Sequence, residues 1–265
     1  MSSTVLLEIS ASLATVTLSH PDKFNAMSRV MWHELRDVFK AIQLRTDLHC
    51  VLIRGQNGNF CAGGDISEYI SFRFEEASLR DFHENDVWGC LEAMLACDVP
   101  IVAQIEGNCM GGGVEIASCC DIRIASANAH FGAPIAKLGF PMAPRETALV
   151  MHAVGELTAR EMLLSAAVLD AAEMKQRGFL NQVVPTADIS AVALARALHI
   201  VQLAPQAARL NKACFRAIAQ YLPAQTATNL VAHAYDYAAS GEHREGVTAF
   251  VEKRPPHFVD ECLTA

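Results

Sequence analysis

The segment Cys109-Met110-Gly111-Gly112-Gly113-Val114-Glu115 sets three adjacent glycines just ahead of a carboxylate. Without a Cβ, glycine lets the backbone turn tightly and approach a ligand closely. If a helix begins here, its first amide N–H groups have no partner inside the helix. They converge on the space in front, where the helix dipole favours negative charge. Glu115 then falls in the first turn, beside the same spot. An amide that binds an oxyanion, with a carboxylate nearby, is a catalytic arrangement. A second loop, Phe60-Cys61-Ala62-Gly63-Gly64-Asp65-Ile66, has the same logic: it follows a buried strand, and a helix can start near Asp65. Taken singly, each loop reads as well as a plain tight turn. Neither fits the G-x-G-x-x-G dinucleotide fingerprint or the Walker A pattern, which argues against those two kinds of nucleotide site.

The elements that must position these loops follow from periodicity. Residues 5–10 and 14–19 read as two short strands, the second alternating Val16 and Leu18 with threonines. Ser28 is a suitable N-cap for a helix whose apolar face carries Met31, Leu35, Val38 and Ile42. The apolar run 51–53 predicts a buried strand ahead of the first glycine loop. A polar helix is predicted over residues 78–96, then a strand over 101–105, the triple glycine with a short helix, and a strand over 122–125. Strands alternating with helices indicate an α/β architecture. From about Asp188 onward the pattern is helical, punctuated by Pro205, Pro223 and Gly241. We divide the chain into a core, residues 1–200, and a helical region, residues 201–265, apolar enough to pack on the core or on another subunit.

Composition narrows the class. A chain of 265 residues with 52% hydrophobic and 19% charged residues has ample material for a folded interior. The net charge of −8 argues against a nucleic-acid or membrane-surface binder, while permitting local basic patches. The 9 cysteines form no Cys-x-x-Cys pair and read as reduced, buried thiols. Cys and His spacing matches no zinc site, so no metal is expected. No apolar run reaches the roughly 18 residues of a membrane span, and residues 1–10 do not read as a signal peptide. A cytoplasmic protein is expected.

Taken together the loops are far more specific than either alone, and the sequence resembles the crotonase family, the enoyl-CoA hydratase/isomerase superfamily. The matching residues run along almost the whole chain: Asn25-Ala26-Met27, residues 60–66, residues 100–113 with Glu115, Cys120-Asp121-Ile122-Arg123-Ile124-Ala125, and Phe131-Gly132. Near the end come Arg244-Glu245-Gly246 and Ala249-Phe250-Val251-Glu252-Lys253-Arg254. The resemblance implies an α/β fold, a crotonase-like spiral of β-β-α units with a C-terminal helical trimerisation region. A homotrimer or a dimer of trimers is implied with it. It further implies an oxyanion hole made by the amides of Gly64 and Gly112, holding the thioester carbonyl of an acyl-CoA. Such donors suit the chemistry, because proton removal, decarboxylation or nucleophilic addition beside a thioester drives charge onto its oxygen. Losing one costs roughly 2.7–4 kcal/mol of transition-state stabilisation. By the same resemblance Lys23, Phe24 and Ala26 meet the nucleotide end of CoA. Ala62, Gly64, Asp65 and Ile66 border the adenine and pantetheine path, and Phe250 and Lys253 reach a neighbouring subunit's CoA. CoA enters as part of the substrate, with no separate cofactor.

One departure stands out. Hydratases of this family clamp water between two glutamates. One matches Glu115; the other follows Phe-Gly-x-Pro, where Phe131-Gly132-Ala133-Pro134 leads here to Ile135, which moves no proton. Glu146 is a conceivable displaced acid, although a Pro-Arg-Glu helix start reads more simply as a charge favourable to the dipole. His83 and Glu84 read as an exposed helix face, Asp121 as structural, and Asp65 as a helix cap or a ligand contact. Lys23 and Lys253, outside the motif context, read as surface lysines. Hydration of a trans-2-enoyl-CoA is the first reading. Decarboxylation, isomerisation or thioester hydrolysis using Glu115 alone are enzymic alternatives, and a catalytically reduced acyl-CoA-binding protein is the alternative from another class. Segments 67–88 and 137–145 are expected to line the acyl pocket and to decide the substrate.

Overall fold

The computed structural model describes residues 3–69 and 71–219, with Gly241, Glu245, Ala249, Glu252 and residues 254–257. Strands β1 (Thr4–Ser10) and β2 (Leu13–Ser19) form an antiparallel hairpin, and helix α1 (Arg29–Gln43) leads to β3 (Cys50–Gly55). The short α2 (Ile66–Tyr69) and α3 (Glu76–Asp81) follow. A π-helical turn, Phe82–Val87, then runs into α4 (Trp88–Ala96). Next come β4 (Ile101–Ile105), β5 (Asn108–Met110), α5 (Gly112–Ser118), β6 (Ile122–Ser126) and β7 (His130–Gly132). After α6 (Pro144–Val154) and α7 (Glu156–Leu164), the chain makes β8 (Val168–Asp170), α8 (Ala171–Gln176) and β9 (Gln182–Val184). It continues through α9 (Ile189–Val201) and α10 (Pro205–Ala219).

The main sheet has the order β1-β2-β3-β4-β6-β9, parallel from β2 onward, and a smaller sheet has the order β5-β7-β8. Both faces of the main sheet are covered, as parallel strands require. Cys50 and Leu52 of β3 pack with Val102, Ile124 and the Ala193–Ala197 stripe of α9. Val51 and Ile53 face the other way, into the larger core with Met31, Leu35 and Phe39 of α1. The period of two in β3 therefore decides which helix each side chain meets.

Helix α1 forms as expected. Ser28 Oγ accepts from the Met31 N–H at 3.2 Å, and the buried face carries Met31, Trp32, Leu35, Phe39 and Ile42. Val38 packs only partly buried against this core. Burying each such side chain stabilises the fold by about 1.5–3 kcal/mol. The predicted single helix over 78–96 is instead three pieces, because the 82–87 turn is π-helical. Its wider turn puts the faces out of 3.6-residue phase. It buries Phe82, Asp86 and Val87, and Asp86 is held by Arg29 at 2.6 Å and His33 at 2.5 Å.

Of the cysteines, seven of the eight described are buried and all eight are free thiols. Burial pushes Cys50, Cys61 and Cys120 up to about 12, so they serve as small core residues. Among the described residues no group of His, Cys, Asp and Glu could hold a metal ion. No single described helix is long and apolar enough to cross a membrane.

Candidate active site

The two glycine loops touch, backbone against backbone. Gly63 and Gly111 take positive φ, +105° and +45°. A Cβ placed on Gly63 would stand 3.2 Å from the Met110 carbonyl oxygen. Short parallel bridges fix the first loop: Met27 N–H donates to Gly63 O at 2.7 Å, and Asp65 N–H donates to Met27 O at 2.8 Å. In such a bridge the amide of the middle residue, Gly64, points to the opposite side. Cys61 is held in the same way, donating to Asn108 O and accepting from Met110 N–H. Helix α5 begins at Gly112, so the Gly112 amide is one of the donors that the helix itself leaves unused. Gly64, Gly112, Glu115 and Ile135 line one cavity of about 210 Å³. The loops are glycine because neighbours fill the space: a Cβ on Gly64 would lie 2.1 Å from Tyr69 Oη, and one on Gly112 3.0 Å from the Trp32 ring.

Glu115 is buried, and burial pushes its carboxyl up to about 8, with the charge of Glu146 adding to the rise. It is largely protonated at neutral pH and can donate. Glu146 does stand in the first turn of α6, as the Pro-Arg-Glu start reads, but it is buried there. It is 2% exposed, and His83 Nδ1 donates to its Oε1 at 3.1 Å. His83 in turn is partly buried and lines the cavity, which corrects the reading of it as an exposed helix residue. The π-helical turn that carries His83 is the physical reason. Arg73 Nη1 donates to His83 Nε2 at 3.4 Å, which assigns Nε2 as acceptor and Nδ1 as the protonated nitrogen. Glu84 pairs with Arg145 at 3.3 Å near the surface. Carboxylate and imidazole thus stand together near Glu115, on a site whose expected second glutamate is Ile135.

The remaining expected residues sit around this centre. Ala62 and Ile66 also line the cavity, while Lys23, Phe24, Ala26 and Asp65 lie outside its wall. Phe24 is 58% exposed and Ala26 is buried. The Lys23 ammonium donates to Asp65 Oδ1 at 2.8 Å, Oδ2 at 2.6 Å and Ser67 Oγ at 2.6 Å, so its charge is met within the chain. Burial raises the Asp65 carboxyl, but Lys23 and Ser67 outweigh it and hold the group below its ordinary value. Asp65 also accepts from Ser67 N–H at 3.1 Å, as a cap of α2 does. Asp121 is structural: it accepts from Ile101 N–H at 2.7 Å and from Lys212 at 2.7 Å. Phe250 and Lys253 lie outside the described residues.

Sequence reasoning singled out none of Trp32, Tyr69 and Arg73 in the cavity wall, although the last two fall in segment 67–88, expected to line the pocket. Trp32 Nε1 is buried without a hydrogen-bond partner. Tyr69 brings its hydroxyl against Gly64, and burial raises that phenol to about 12. Segments 67–88 and 137–145 both contribute to the wall, through Tyr69, Phe82 and His83 and through Leu138, Phe140 and Met142.

Comparison with known proteins gives one consistent result. The family model described as enoyl-CoA hydratase/isomerase matches residues 8–261. A short-chain-enoyl-CoA hydratase of Clostridium acetobutylicum is 32% identical over 257 residues, 94% of this chain and 95% of the relative. A crotonyl-CoA hydratase of Syntrophomonas wolfei is 30% identical over 97% of this chain and 98% of its own. A solved structure described as an enoyl-CoA hydratase/carnithine racemase from Magnetospirillum magneticum superposes with a TM-score of 0.92. It is 33% identical and covers 97% of this chain and 96% of its own.

Proposed function

The chain belongs to the enoyl-CoA hydratase/isomerase family, and from that premise we propose that it hydrates a trans-2-enoyl-CoA. The observation that carries the reading is Glu115: a buried carboxyl, largely neutral at neutral pH, in the same cavity as Gly64 and Gly112. The thioester oxygen accepts from the Gly64 and Gly112 amides. As water adds to Cβ, the electron pair of the double bond moves toward that oxygen, and the amides stabilise the enolate. Glu115 delivers its proton to Cα. Water displaces the long Arg73 contact at His83 Nε2, which takes its proton, and Glu146 beyond it stabilises the imidazolium. The hydroxyl ends on Cβ and the hydrogen on Cα, and a proton passed from His83 to Glu115 resets the site. The names of the relatives support a short enoyl chain.

Incubation with crotonyl-CoA, followed by mass spectrometry, tests this directly. We expect a gain of one water, and a loss of turnover of about 10²–10⁴-fold in Glu115→Gln and in His83→Gln. Unimpaired turnover by Glu115→Gln removes the catalytic assignment. Loss of carbon dioxide from a carboxylated acyl-CoA, or release of free CoA, in place of water gain replaces hydration by decarboxylation or hydrolysis. The same holds if Ile135→Glu creates a hydration that the parent chain lacks.

We further propose a homotrimer or dimer of trimers in the cytoplasm, with Phe250 and Lys253 reaching a neighbour's CoA. Exposed apolar side chains on α9 and α10, among them Leu194, Leu198, Leu210, Phe215 and Ile218, support an assembly.

A further inference from the structure

Arg73 is a cation in the cavity wall that, among the described residues, has no counterion. Its guanidinium lies over the Phe140 ring, 3.7 Å from the centroid, and over the Tyr69 ring at 4.6 Å. The two rings meet edge to face at 6.1 Å, and the guanidinium carbon lies over both of them in cation–π contact. Its rim of N–H donors makes one long contact, to His83 Nε2 at 3.4 Å. Among the described residues no carboxylate pairs with it, and no oxygen accepts from its side chain. Arg123 provides the contrast. It is also a half-buried arginine whose pKa is lowered by burial, yet Phe179, Ala117 and Cys120 carbonyls accept from it at 2.6, 3.2 and 2.6 Å. Arg73 is less deeply desolvated than Arg123, but burial lowers its pKa too, and among the described residues it has no such acceptors.

Its place relative to the reacting centre is set by Tyr69. The hydroxyl end of that tyrosine abuts Gly64, and its ring carries Arg73. A thioester carbonyl at the Gly64 amide is therefore about one phenol ring from the guanidinium. Arg73 lines the 210 Å³ cavity and also an outer one of about 550 Å³, which shares Tyr69, His83 and Phe140 with it. An acyl chain leaving the oxyanion site along this wall meets Arg73 after a few carbons.

We propose that Arg73 selects a short acyl-CoA whose acyl chain ends in a carboxylate, which pairs with the free guanidinium edge. This deepens the reading of the cavity as an acyl-CoA site and rests on it. Planar, two-pronged pairing with a carboxylate is what a stacked guanidinium offers and a neutral acyl terminus cannot use.

Calorimetric titration of the full-length protein with glutaryl-CoA, butyryl-CoA and free CoA tests the selection without requiring turnover. The parent chain should bind glutaryl-CoA tighter than butyryl-CoA by about tenfold or more. Arg73→Met should erase that preference while leaving butyryl-CoA and free CoA within a few-fold. Arg73→Lys, which keeps the charge but loses the planar fork, should retain part of it, and both variants are checked by thermal melting. Equal affinity of the parent chain for the two thioesters overturns the proposal. So does an Arg73→Met variant that weakens all three ligands alike, since the arginine then holds CoA itself or the cavity wall. Failure of every CoA ligand to bind the parent chain refutes the acyl-CoA reading, and the carboxylate selection with it. Binding of both thioesters without a preference refutes the selection alone.

Discussion

Glu115 illustrates how a single residue's chemistry is set by its surroundings. As a free carboxyl it would titrate near 4.5, but burial with Glu146 nearby moves it to about 8. Between those two values the folded chain holds a proton that the unfolded chain has released. The sign follows: this group's protonation favours the folded state fully below about 4.5, and that stability is lost as pH rises through about 8. The full shift corresponds to about 4–5 kcal/mol. Glu115→Gln removes the titration while keeping the shape. Denaturant unfolding of both proteins from pH 5 to 9 should show the variant gaining on the parent chain as pH rises, then levelling. A difference that is flat with pH would contradict a buried, proton-retaining Glu115. The same titration predicts hydration that declines above about pH 8, as the acid loses its proton.

At the scale of elements, the site depends on how closely α5 can approach the first glycine loop. A Cβ on Gly113 would lie 2.5 Å from the Cys61 carbonyl oxygen, a backbone atom already accepting from Met110 N–H at 2.9 Å. Gly113→Ala must therefore push the loops apart, with an expected loss of about 1–3 kcal/mol and of turnover together. Gly89 in α4 makes the control, because the nearest atoms to its Cβ position lie at 3.7 Å or beyond, in ordinary contact. Gly89→Ala should stabilise by about 0.5–1 kcal/mol and leave turnover unchanged. Thermal melts alongside initial rates separate the two variants. The π-helical turn belongs at this scale as well. Residues 78–96 are legible as a polar helical region, but one wide turn shifts the phase, so His83 faces the cavity. No wheel drawn at 3.6 residues per turn would place it there.

For the whole molecule, α10 is tied by ionic and polar contacts to the connections that lead into the sheet. Lys212 is 9% exposed and donates to Val99 O at 2.9 Å and to Asp121 at 2.7 Å. Arg216 pairs with Asp98 at 2.8 Å, and Arg209 donates to the Arg45 and Leu48 carbonyls. Lys212→Met leaves Asp121 and the Val99 carbonyl without this donor and should cost about 1–3 kcal/mol in urea unfolding. Turnover per folded molecule should persist, because these contacts lie outside the cavity wall. An unchanged unfolding midpoint would mean that the contact contributes nothing to docking α10.

The sequence by itself determined the parts that are local or periodic. Glycine at 63–64 and 111–113 marks turns that only a residue without Cβ can make, and the unbroken apolar run 51–53 reports a strand covered on both faces. Ser28 announces its helix through a hydrogen bond made three residues away. Together with the family resemblance, these features made legible the fold and the cavity residues Gly64, Gly112 and Glu115. Ile135 was legible too, as a place where a proton carrier is lacking. Tertiary structure alone decided what stands near Glu115 instead. Glu146 looked like a helix-dipole charge until α6 buried it against His83, sixty-three residues away in sequence. Arg73 carried no local signal, and only the fold set it against two aromatic rings. Burial, pairing and the proton affinity that follows are properties of neighbours distant along the chain, and no local pattern encodes them.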